Sequence, residues 1–194
     1  MPDPKRTVTL TDPRALRALA HPTRVKLVGL LRTRGPLTAT QAGALLGEVP
    51  ASASFHLRQL AKYGLVEEAL GGRGRERPWQ ATASFTSWSA VGAEPAMAAA
   101  DQLLSTVVVE RYMEQVLHWL DEKAGEPIEW QDAAVFGDMP LYVTADELKA
   151  IGEQLSRVVA PYLERAADAS ARPEGSRLVT LIQLGFPIAA PDAR

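Results

Sequence analysis

The sequence predicts a mainly α fold of the α+β class: short helices and a β-hairpin, then one long helix, then a small strand–helix–strand part. Three observations carry this. Pro13, Pro22 and Pro95 each open a run with apolar residues at helical spacing, the position where a missing N–H costs nothing. Two β-prone runs, "LVEEAL" and "RPWQAT", flank the glycine-rich "GGRGRE" as the strands and tip of a hairpin. After Pro95 the chain keeps an apolar helical period to about Lys123, with Gly125 as its stop.

The elements follow in order. "TDPRALRALA" starts a helix at Thr11 or Asp12. "PTRVKLVGLLRTR" makes the next, with Val25, Leu27, Val28, Leu30 and Leu31 as its apolar face and Gly35-Pro36 as its end. In "LTATQAGALLG", Thr38 and Gln41 are spaced as a capping box. "EVPA" turns the chain into "ASASFHLRQLAKYGLV", a helix closed by Gly64. On a wheel of 100° per residue, Ala53, Leu57 and Leu60 share one stripe. Phe55 falls almost opposite, among Ser52, Arg58, Gln59 and Lys62. "SFTSWSAVGAEP" reads as a linker to the long helix, whose apolar positions are too many for one face of a monomer and point to dimerisation. "WQDAAVFGDMPLYV" reads as extended, and "TADELKAIGEQLSRVVAPYLERAA" as a helix with a second capping box, Thr144 to Glu147, and a kink at Pro161. "RLVTLIQLGFPI" reads as an apolar strand.

Composition narrows the class. With 46% hydrophobic and 23% charged residues, the 194-residue chain is that of an ordinary soluble protein. It has no apolar run near 18 residues and no signal-peptide core, so a cytoplasmic protein is expected. Cysteine is absent, which excludes disulfides and thiolate metal sites. The net charge of −2 conceals a division. Residues 1–80 carry 13 Lys/Arg against 6 Asp/Glu, a net +7, and residues 81–194 carry 8 against 17, a net −9. A basic first part suits a polyanion; solvated faces that happen to segregate are the alternative.

Two helices joined by a tight turn, the second with an exposed polar face, make a helix-turn-helix, and the basic hairpin after it makes it winged. Residues 10–88 resemble the ArsR-type winged helix-turn-helix regulators. The likeness lies in "LRALAHPTRVKLVGLL", "LTATQAGALLG", "ASASFHLRQLAKYGLV" and "GGRGRERPWQAT", in that order and spacing. It implies a homodimeric repressor that places residues 51–63 of each subunit in successive major grooves of a palindromic operator, with the wing along the backbone or minor groove.

The residues support DNA contact on chemical grounds as well. Thr38 and Gln41 lie at the start of the helix before the recognition helix. Ser52 and Ser54 can donate to phosphates, Arg58 and Lys62 can neutralise them, and Gln59 can pair with adenine. Phe55 can meet a thymine methyl, or pack on the preceding helix or another protein. His56 is either a phosphate donor or a packing residue. Arg73, Arg75 and Arg77 on the wing suit phosphate or the minor groove, with a solvated charge run as the alternative.

The domains are expected at 1–90, for DNA binding, and 91–194, for dimerisation. The acidic extension beyond the minimal family members contains Trp119, Trp130, Phe136, Tyr142 and Tyr162; with Trp88 these are candidates to line a pocket for a small organic effector. A plain core and dimer interface is the other reading. Glu114, His118, Asp121 and Glu122 lie at helical spacing, so a metal-responsive repressor is an alternative, as is a winged helix used for protein–protein contact; no cofactor or metal is the expectation. No enzyme is expected. The chain has no nucleophile elbow, no His-Glu-x-x-His, no phosphate-cradling loop and only three histidines.

Overall fold

The structure is a computed structural model that describes residues 6–71, 77–89 and 92–188. Each early helix begins where the sequence supplies a cap. Strand β1 (Thr7–Leu10) leads to α1 (Pro13–Leu19), where the Asp12 carboxylate accepts the Arg14 N–H at 2.8 Å. Helix α2 (Pro22–Arg34) is capped by the His21 imidazole and ends at Gly35, whose φ of 82° suits glycine alone. Helix α3 (Ala39–Leu46) carries the complete Thr38–Gln41 capping box. It ends at left-handed Gly47, and Pro50 opens α4 (Pro50–Lys62) three residues later.

Strands β2 (Val66–Glu68) and β3 (Trp79–Ala81) pair antiparallel with Glu68 opposite Trp79, as the hairpin pattern predicted. A bridge between Leu37 and Trp79 fastens the hairpin to the α2–α3 link, through two backbone hydrogen bonds of 3.0 and 2.8 Å. The segment read as a linker contains a further strand. β4 (Phe85–Trp88) pairs parallel with β1, and the Thr9 and Ser87 hydroxyls meet at 2.9 Å.

Helix α5 (Pro95–Glu122) changes character along its length. Met97, Ala100, Leu104 and Val107 recur at spacings of three and four and are buried with Leu16, Leu27, Leu31, Leu57 and Leu60 in one core. Beyond Val107 none of its side chains is fully buried, and Val109, Met113, Leu117 and Leu120 are 40–61% exposed. Arg32 ties α2 to β4 by donating to the Ala83 carbonyl and the Thr86 hydroxyl at 2.9 and 2.7 Å, and its burial lowers its pKa to about 10.

The chain divides into compact units at 1–125 and 126–194, so the buried half of α5 belongs with the helix-turn-helix core. The second unit contains α6 (Ile128–Ala133), which overlaps the start of the segment expected to be extended, and α7 (Ala145–Ala167), which begins at the Thr144–Glu147 capping box and continues through Pro161. Arg177 clasps the Glu126 carboxylate with bonds of 2.5 and 2.9 Å and lies over the Trp130 ring. Among the described residues this unit has no strand and no buried side chain. The apolar run at 177–188, read as a strand from its composition, has no ladder partner there, and Leu178, Phe186 and Ile188 face outward. β-propensity records fitness for a pleated, half-buried surface; without a neighbouring strand it yields no ladder.

Candidate nucleic-acid interface

The site is built from the two faces of α4. Ala53, Leu57 and Leu60, the stripe read from the wheel, are fully buried and anchor the helix to the core. Ser54 and Gln59 are half-buried, and Arg58 and Lys62 are exposed. Phe55 is 50% exposed, so the ring the wheel placed among polar groups does face outward. His56 turns inward: it is 9% exposed, and its ring lies 4.6 Å from that of His21. The packing role weighed for His56 is thus the place its ring occupies.

Beside the outward face runs a cleft of about 380 Å³, lined by Thr38, Ala39, Thr40, Ser54, Arg58, Glu68, Arg77 and Trp79. It gathers the N-terminus of α3, the middle of α4 and the base of the wing. A helix N-terminus with hydroxyls and two guanidinium groups suits an anion. Arg77 is held 3.2 Å from Glu68 across the hairpin, an exposed pair that a phosphate can displace at small cost. Thr40, Glu68 and Trp79 were missed in the sequence; a hydroxyl two positions past the Thr38 cap was the signal available for Thr40. Gln41 is exposed, but its side-chain oxygen accepts the Thr38 N–H at 2.9 Å and so serves the capping box. Arg73 and Arg75 lie outside the described residues.

Glu48, in the turn between α3 and α4, ties α2 to α4. Its carboxylate accepts the Thr23 hydroxyl on α2 at 3.0 Å and the Ser52 hydroxyl on α4 at 2.8 Å, and these bonds hold its pKa below the ordinary carboxylate value. The acceptor sits at the N-terminal ends of both helices, where negative charge is favoured.

Residues 19–69 match the family described as a helix-turn-helix domain. The chain carries a helix-turn-helix DNA-binding domain. No curated protein matches the chain. The match spans α2, α3, α4 and β2, the elements that position the Glu48 link and the cleft. The domain points to a regulator of transcription rather than an enzyme, and no helix among the described residues is long and apolar enough to cross a membrane.

The candidate effector aromatics have separate surroundings. Trp88 lies on β4 against the first unit's core, and Trp119 sits half-buried on α5. In the second unit Trp130 lies under Arg177 and Tyr162 under Arg165, while Phe136 and Tyr142 are exposed. Of the carboxylates weighed for a metal, Glu114 pairs with Lys26 at 2.7 Å and Glu122 with His118 at 3.2 Å. Among the described residues no three His, Asp or Glu side chains converge on a metal-sized site.

Proposed function

We propose that the protein is a sequence-specific transcription regulator of ArsR type, a repressor that binds a palindromic operator as a homodimer. The observation that carries this is the division of α4: Ala53, Leu57 and Leu60 fix it in the core, while Ser54 and Arg58 line the cleft and Phe55 and Lys62 are exposed. The outward apolar stripe of α5 supports pairing of two chains. Repression follows from occupying the promoter, and release follows when a small organic effector favours a spacing of recognition helices that no longer fits successive grooves.

The test begins with a duplex recovered by the full chain from a random-sequence pool. Affinity for it should fall linearly with salt on logarithmic axes, by about 0.9 for each phosphate neutralised. Replacing Arg58 and Arg77 with alanine should flatten that slope by roughly two such contacts. An unchanged slope puts the cleft away from the backbone.

Gln59→Ala should relax the preference at one position of each half-site, costing about 1–3 kcal/mol there. Lys62→Ala should weaken all sequences alike. A base-by-base competition assay separates the two, and uniform losses from both would reject this register of α4.

A further inference from the structure

We propose that His21 and His56 form a proton-sensitive latch, which seats the recognition helix α4 against the start of α2 only while both rings are neutral. The pair occupies the joint of the motif. His21 Nδ1 accepts the Thr23 N–H at 3.2 Å and so caps α2, a bond that requires an unprotonated Nδ1. A proton on that nitrogen sets donor against donor and removes the cap. It also places positive charge at a helix N-terminus. His56 Nδ1 is buried with no hydrogen-bond partner. The neutral ring can keep its N–H on Nε2 and leave only a lone pair there; protonation would install a buried donor with no acceptor.

The charged groups facing the pair are Arg24 on α2 and Glu48 on the turn before α4. Burial first, then the neighbouring ring and Arg24, lower the His56 pKa; burial and Arg24 lower that of His21. Glu48 pulls the other way, but its two oxygens already accept the Thr23 and Ser52 hydroxyls. With both pKa values depressed in the fold, the unfolded chain takes up protons first as the pH falls below about 6.5. The latch's contribution is therefore full above that pH. It is lost as the pH falls toward the folded-state values, where the dependence levels off.

The experiment uses the full chain, His21→Asn (which keeps a capping oxygen) and the H21N/H56L double variant. Imidazole NMR signals are followed from pH 5 to 8, urea unfolding is measured over the same range, and affinity is titrated on the selected duplex. Two ring signals should titrate below pH 6.5. Stability should fall from pH 7.5 to 5.5 in the native chain and stay nearly flat in the double variant. Duplex affinity of the native chain should fall in acid by up to about tenfold per pH unit for each proton that must leave. Rings that titrate at or above 6.5, or equal pH dependence in native and double variant, overturn the latch. Should the double variant not fold, His21→Asn decides: with one like charge gone the His56 ring must titrate at higher pH, and an unmoved titration overturns the proposal. Only the duplex measurement rests on the DNA-binding reading. A chain that binds no duplex at any pH defeats that reading, while ring titration and stability still judge the latch.

Discussion

Glutamate at both Leu117 and Leu120 should leave the first unit folded yet lower affinity for a two-half-site operator about a hundredfold. Both side chains lie beyond Val107, the last buried position of α5, and are 61% and 51% exposed, so the change removes no core contact. Exposed positions away from caps and cores tolerate substitution within about 0.5 kcal/mol. What the glutamates oppose is apolar contact with a second chain. A dimer holds its second half-site intramolecularly, a gain that reaches about 10²-fold or more; single chains forfeit it. Sedimentation reports the assembly state, and titration of one- and two-half-site duplexes reports the gain. A variant that stays dimeric and binds both duplexes as the native chain does places the interface off this stripe.

Leu104→Ala should cost about 2–5 kcal/mol of stability, the range for emptying a fully buried leucine site. Leu104 has no exposed surface and packs in the same cluster as Leu16, Leu27 and Leu57. Against a typical margin of about 5–15 kcal/mol, this is enough to populate unfolded protein at 37 °C. Its neighbour Leu103 is 48% exposed, and Leu103→Ala should be nearly silent. Urea denaturation of both variants checks the contrast, and equal losses would mean that α5 is rotated from the described packing. The same burial bears on truncation. A fragment ending near residue 90 loses Met97, Ala100, Leu104 and Val107 together, so it loses core as well as the outward stripe. A fragment ending at 125 keeps that core intact.

The helices were legible because their ends are written locally. Asp12-Pro13, His21-Pro22, Thr38 with Gln41, and Thr144 with Glu147 each satisfy orphan N–H groups from within a few residues. The buried stripe of α4 was legible for the same reason, since 100° per residue fixes which side chains share a face. The β1–β4 pair was not. "TVTL" is too short to show an alternation, and its partner lies beyond the whole helix-turn-helix. The half-and-half character of α5 was also hidden, because Leu104 and Leu117 look alike until tertiary packing covers one of them. Within the site, Arg58 followed from the wheel and Ser54 from its hydroxyl chemistry, whereas Trp79 and Glu68 reach the cleft only through the register of the hairpin. Glu48 gave no signal in the sequence, since its two partners, Thr23 and Ser52, meet it only once α2 and α4 have packed.

The parallel pair of β1 and β4 has a consequence for the order of folding. Thr9 and Ser87 meet across 78 positions of the chain, so their ladder closes one of the largest loops among the first unit's described hydrogen bonds. Closing it early would cost much chain entropy for a four-residue ladder. Local helices and the hairpin, which close short loops, can form first and bring the two strands together. During synthesis β1 emerges first and waits, with its edge unpaired, until residues 85–88 have left the ribosome. In that interval the earliest of the described strands is the last one secured, and "TVTL" is open to a wrong partner.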